Sequence, residues 1–172
     1  ARVHDSQNPW RVSPSAGVER KMLDRIGDEV ARATTIVRFA EGSAFAPHTH
    51  GGGEEFVVLD GVFQDEHADY PVGSYVRNPP TSRHTPRSKP GCTIFVKLWQ
   101  MQPEDRQHVV VDMNTVVLTP DAIRQGVSFA TLFKDDHETV RKERWTAGAS
   151  VRLDTTGGAE LLVLSGTLRD GE

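Results

Sequence analysis

His48-Thr49-His50, followed by Gly51-Gly52-Gly53-Glu54, sets two imidazoles and a carboxylate within seven residues around a glycine turn. Side chains at i and i+2 of a strand share one face, so His48 and His50 can address a single ion. The glycines let the backbone turn sharply, and either Glu54 or the adjacent Glu55 can then return toward that ion from the next strand. A fourth candidate is His84, at the end of Arg77-Asn78-Pro79-Pro80-Thr81-Ser82-Arg83-His84. Three neutral imidazoles and one carboxylate make a mixed nitrogen and oxygen set, which suits zinc, iron, manganese, nickel or copper better than magnesium or calcium. His4, His67, His108 and His137 read as surface or satisfied core histidines, and Asp65-Glu66-His67-Ala68-Asp69 as a solvated loop. Arg77, Arg83 and Arg87 read as a solvated rim near His84, with a cationic grip on an anionic ligand as the alternative.

These residues need strands to hold them. Short runs rich in β-branched and aromatic residues recur between Gly, Pro, Asn and Asp: Thr34 to Phe39, Glu55 to Leu59, Ser74 to Arg77, Thr93 to Trp99, Val109 to Val111 and Thr115 to Leu118. That spacing predicts an all-β sandwich or barrel. Gly17 to Gly27 carries Val18, Met22, Leu23 and Ile26 at helical spacing and is equally compatible with an edge strand. Trp10, Trp99, Trp145 and Tyr75 are assigned to packing. Cys92, within Gly91-Cys92-Thr93-Ile94-Phe95-Val96, reads as a thiol in a buried strand.

The motifs together resemble a known family. Gly42, five residues, His48-x-His50, three residues, Glu54, six residues and Gly61 resembles the first cupin motif; Pro71-x-Gly73 with Asn78-Pro79-Pro80 and His84 resembles the second. Gly52 to Leu59, Asp65 to Pro71 and Tyr75 to Pro80 are similar to the ChrR-type cupin, the sensor half of an anti-sigma factor that also occurs as stand-alone proteins. The resemblance runs from about Trp10 to Met101 and implies a double-stranded β-helix, or jelly-roll barrel, with one transition metal per chain on His48, His50, Glu54 and His84. The helical anti-sigma module of ChrR has no counterpart here, so no sigma-factor partner is expected.

A degenerate echo follows. Gly157-Gly158-Ala159-Glu160-Leu161-Leu162-Val163-Leu164-Ser165-Gly166 overlays Gly52 to Gly61 at a constant offset of 105. This predicts a bicupin, with a metal-binding domain at 1–104 and an incomplete second copy at 105–172. In that register His48, His50 and Glu54 fall on Leu153, Thr155 and Ala159, so the second copy should bind no metal. Glu160 then matches Glu55, which favours Glu54 as the ligand. The second copy stops before its counterparts of Pro71-x-Gly73 and His84, which suggests further residues beyond Glu172 or completion against a partner chain, hence a homodimer. Ala1 in place of Met suggests a trimmed start.

Composition sets outer limits. A chain of 172 residues with 37% hydrophobic content can fill one core or two small ones. A formal charge of -4 without a basic run argues against nucleic acid or an anionic membrane as the main partner, and the apolar runs are too short to span a bilayer. With no charged-then-apolar leader and one cysteine, a cytoplasmic protein is expected. Two functions fit. One is a metal-dependent enzyme, dioxygenase-like on a small diketone or related oxygenated molecule held in the barrel; the stand-alone relatives implied by the resemblance include such oxygenases. The other is a ChrR-like module that senses a small molecule or oxidant without turnover.

Overall fold

The computed structural model describes residues 7–28 and 30–169. Among the described residues there is no α-helix, and His4 lies outside them. The segment left open between helix and strand is a strand, β2 (Val18–Ile26), flanked by β1 (Arg11–Val12) and β3 (Arg32–Phe39). Pairing decides it: β3 is a β-branched run that offers β2 a full antiparallel edge, and the helical spacing of Val18, Met22 and Ile26 cannot compete with that. A bulge between Met22 and Asp24 shifts the register of that pair.

β6 (Glu54–Gln64) is the spine of the barrel. Its first half lies between β11 (Cys92–Leu98), which also pairs β3, and β8 (Ser74–Asn78). Its second half pairs β7 (Asp69–Pro71) and β10 (Arg87–Ser88), and β10 also pairs β4 (Ser43–Ala44). The sheet therefore curls on itself. Period-2 alternation along β6 sends Glu54, Phe56 and Val58 inward and Glu55 and Val57 to the opposite face. The inner core is Val18, Val37, Phe39, Phe56, Val58, Phe63, Tyr70, Val76, Cys92, Ile94 and Val96. Cys92 is buried as expected, and burial pushes its thiol up to about 11.

β12 (Val109–Asp112) adds to the same sheet beside β8, so strand pairing crosses the expected boundary at 104. Thr115 to Leu118, expected as a strand, is a turn and an irregular stretch. The Asp112 carboxylate accepts from Asn114 N and its carbonyl from Thr115 N, while the Asn114 amide donates to the Val72 carbonyl; these bonds turn the chain away from the sheet.

A separate three-stranded sheet follows, β13 (Thr119–Pro120), β14 (Val127–Lys134) and β15 (Thr139–Trp145). Its β14–β15 hairpin was not among the strands expected from the sequence. It packs Leu132, Phe133 and Val140 against Tyr75, Val57, Val109 and Val111 on the outer face of the first sheet. It also repeats β1–β3 bond for bond. Ala40 N donates to Gly17 O and Thr146 N to Gly126 O; Ser43 N donates to Ala40 O and Ala149 N to Thr146 O. The bulge recurs between Thr131 and Phe133. Gly17 to Gly126 is a step of 109 and Gly42 to Gly148 one of 106, so the offset is not constant at 105. Carried past Gly148 unchanged, the 106 step would place Glu160 opposite Glu54 and Asp154 and Thr156 opposite His48 and His50.

The expected second barrel goes no further among the described residues. Gly157 to Gly166, the echo of β6, forms no strand, and Leu161, Val163 and Leu164 are exposed. In the first barrel β6 is ordered by β8 and β11 on either side; the echo has no such neighbours and stays outside any sheet.

Candidate metal centre

Local sequence and long-range pairing build this site together. His48 lies on β5 (His48–Thr49), which pairs β9 (Arg83–His84) so that His48 stands opposite His84. His50 follows β5, with its N donating to Ser82 O. The chain then reverses through the glycines, with Gly53 at a φ of 77° and in close contact with Met101. A side chain at that position would be strained and would meet the Met101 sulfur. Glu54 opens β6 from this turn, its inward face directed at the imidazoles.

The three imidazoles converge. Ring centroids of His48 and His50 are 5.0 Å apart, His48 and His84 5.2 Å, and His50 and His84 4.7 Å. One nitrogen from each lies within 4.8 Å of the others. Glu54 Oε2 is 3.5 Å from His50 Nε2 and 3.4 Å from His84 Nε2. These are not hydrogen bonds: both Nε2 atoms are buried without a hydrogen-bond partner. Ligands about 2.1 Å from a tetrahedral ion stand about 3.4 Å from each other, so the spacing and the orphaned nitrogens fit an ion between them. Buried polar atoms rarely stay unpaired otherwise.

Surrounding groups orient the donors. His84 Nδ1 donates to Asp65 Oδ2 at 3.2 Å and His48 Nδ1 to the Ala46 carbonyl at 3.0 Å, which leaves each Nε2 free as an acceptor. Asn78 Nδ2 donates to Glu54 Oε2 at 3.2 Å. Burial lowers the His50 pKa; the Glu54 charge opposes this, and His84 and His48 add to it. Burial also depresses His84, but its bond to Asp65 and the charges of Glu54 and Asp65 outweigh that and the net shift is upward.

Two readings of the sequence are corrected here. Glu66 to Ala68 form an exposed loop and Asp69, also exposed, opens β7, but Asp65 at the head of the loop is 5% exposed and holds His84. Its carboxylate also accepts from His67 N and Ala68 N, which, with the His84 bond, outweighs burial and holds its pKa below the ordinary value. The position of Asp65 across the barrel from His84 has no local signature. Arg77 is no rim residue. It is 1% exposed on the outer face, pairs with Asp105 and Glu138 at 2.6 Å each, and stacks on Phe133, whereas Arg83 and Arg87 are exposed as expected.

Glu55 faces the same outer side. It accepts from the Tyr75 hydroxyl at 2.8 Å and pairs with Lys97 Nζ at 3.1 Å. Burial and the Glu55 charge push the Tyr75 phenol far up, so it stays protonated as donor. His48, His50 and Glu54 line instead a cavity of about 370 Å³ inside the barrel, walled also by Val37, Phe39, Ile94, Val96 and Leu98. Trp99, read as a packing residue, lies over Gly51 and Gly52 and forms part of that wall.

Residues 1–102 match the family described as the ChrR cupin-like domain. No curated protein matches the chain significantly. A candidate acetylacetone dioxygenase of Methylibium petroleiphilum PM1 superposes with a TM-score of 0.53 at 18% identity, over 66% of this chain and 90% of that one. An RmlC-like cupin protein of Ralstonia eutropha JMP134 gives 0.51 at 20% identity, over 67% and 80%. A Rhodobacter sphaeroides complex of SigE with the anti-sigma ChrR gives 0.47 at 24% identity; the match spans 55% of this chain and half of that one. At these identities the likeness concerns the fold, a cupin-like β-barrel. No helix among the described residues is long and apolar enough to cross a membrane.

Proposed function

Because the chain belongs to the ChrR cupin-like domain family, we propose that it is a metal-dependent enzyme of the dioxygenase type. Its substrate is a small enolisable oxygen compound such as a β-dicarbonyl. The observation that carries this is the convergence of three imidazole nitrogens within 4.8 Å, two of them, from His48 and His50, beside the cavity of about 370 Å³ that these residues line. His48, His50, His84 and Glu54 would hold one transition metal, with zinc, iron, manganese and nickel as the candidates. Such an ion would polarise a carbonyl oxygen and, if it is iron, supply chemistry with dioxygen.

The chain's own residues do the rest. Asp65 and the Ala46 carbonyl hold His84 and His48 in the tautomer that leaves Nε2 free. Asn78 keeps the Glu54 carboxylate turned inward. The aliphatic walls lower the local polarity, which strengthens polar contacts made at the imidazole end. Among the described residues Glu54 is the one carboxylate lining the cavity, and it would accept a proton from the substrate's acidic carbon only at the expense of its role as ligand.

The test has two parts. Elemental analysis of protein purified without added metal should give one transition metal per chain. An oxygen electrode should then register uptake by the iron-loaded protein with a panel of β-dicarbonyls. No uptake above free iron, together with measurable ligand binding, would favour the ChrR-like sensing module, and absence of metal would overturn both. The likeness of β13–β15 to β1–β3 supports reading residues 105–172 as a second, incomplete cupin copy. Exposed Leu161, Val163 and Leu164 support a homodimer that covers them; a 19 kDa particle by light scattering at micromolar concentration would exclude it.

A further inference from the structure

Arg20 and Arg25 line the cavity, and among the described residues the inner one, Arg20, has no acidic partner. Alternation along β2 turns Glu19 outward, where it pairs with Arg38 at 2.6 Å, and turns Arg20 inward. Arg20 is half-buried; its guanidinium sits 5.7 Å from the centre of the Phe45 ring and has no ion pair among the described residues. Phe45 in turn meets His48 edge-on at 6.1 Å, so Arg20 lies one ring away from the imidazole cluster on the same wall. Arg25, beyond the bulge in β2, stands exposed at the cavity mouth and donates to the Asp28 carbonyl. Among the described residues Glu54 is the one acid lining the cavity, and it lies at the imidazole end.

We propose that the substrate of this site is a small carboxylate, an oxo acid whose carboxylate pairs with Arg20 while its enolisable oxygens reach the imidazole end. This rests on the metal-site reading above and narrows it. A guanidinium left half-desolvated without a counter-ion is costly, and a planar carboxylate is the partner its fork of donors matches. Burial, with Arg25 nearby, lowers the Arg20 pKa, as for a cation lacking its anion. A neutral diketone would bury Arg20 further and leave it unpaired. The aliphatic wall between the two ends leaves room for a short carbon skeleton, and Thr35, on that wall, adds a hydroxyl between Arg20 and the imidazole end.

The direct comparison uses 2,4-dioxopentanoate against acetylacetone, which share a β-dicarbonyl and differ by a carboxylate in place of a methyl. Titrated into zinc-loaded protein at pH 7 and followed by calorimetry or by fluorescence of Trp99, the acid should bind about tenfold more tightly or better. In Arg20→Met the ratio of the two affinities should fall to about one, and Arg20→Lys should retain part of the preference. Zinc content and far-ultraviolet circular dichroism check that both variants are folded and loaded. Equal affinities for the two probes, or a preference that survives Arg20→Met, would overturn the proposal. The same titrations on metal-free protein separate the two readings: an Arg20-dependent preference that needs no metal supports the anion site while counting against the metal site. Metal-dependent binding of both probes without preference does the reverse.

Discussion

Glu54 and Glu55 are adjacent, equally buried at 7% and 6% exposure, and should fail in different assays when neutralised. Glu54→Gln keeps the shape and removes a charge whose oxygen stands 3.5 Å and 3.4 Å from two imidazole nitrogens. Transition-metal affinity should drop at least about tenfold, or about 1.4 kcal/mol. Stability of the metal-free protein should change little, since the neutral amide keeps an oxygen to accept from Asn78 and a buried charge is removed. Glu55→Gln instead weakens the bond from the Tyr75 hydroxyl at 2.8 Å and the pairing with Lys97 at 3.1 Å. Lys97 keeps Glu160 at 3.5 Å, so the loss is that of a charged hydrogen bond, about 1.5–3 kcal/mol. With a urea slope of about 2 kcal/mol/M, the midpoint should fall by about 1 M, while metal affinity stays within a few-fold. Competitive titration with a fluorescent zinc chelator and urea melts of the metal-free variants measure the two quantities. A larger affinity loss in Glu55→Gln than in Glu54→Gln would refute the assignment of faces along β6.

Arg77→Met should destabilise the protein by about 3–5 kcal/mol, because Asp105, 5% exposed, loses its partner while Glu138 is left more accessible; adding Asp105→Asn should recover part of it, and a urea midpoint unchanged by Arg77→Met would contradict a buried pair. Cys92, whose thiol burial raises to about 11, should hold only about one thousandth of its population as thiolate at pH 8. Iodoacetamide labelling should then be slow in the folded protein, quicken as pH rises toward 11, and become complete in urea; rapid labelling at pH 8 without denaturant would place the thiol at the surface.

How much of this was legible beforehand depends on the range of the physics involved. The two-residue step from His48 to His50, the glycine turn and the opposite faces of Glu54 and Glu55 are consequences of strand periodicity and glycine stereochemistry, which act within a few residues. For the same reason the β-branched runs foretold β3, β6, β8, β11 and β12 of the first sheet, but not its two- and three-residue strands. Pairing across the chain was not legible in this way. Only the antiparallel match of β5 with β9 sets His84 opposite His48, and only the curl of β6 carries Asp65 to His84 from a loop that reads as solvated. Arg77 reads as a charged residue beside a histidine; docking of the β14–β15 hairpin is what buries it against Phe133 and Glu138. The repeat shows the same division. Glycines and apolar runs betray it in the sequence, but the changing offset lets Glu160 match either glutamate, whereas three-dimensional geometry sends Glu54 to the imidazoles and Glu55 to Tyr75. Tertiary structure decided these because burial and charge pairing depend on what folds over a residue, and that covering surface comes from distant parts of the chain.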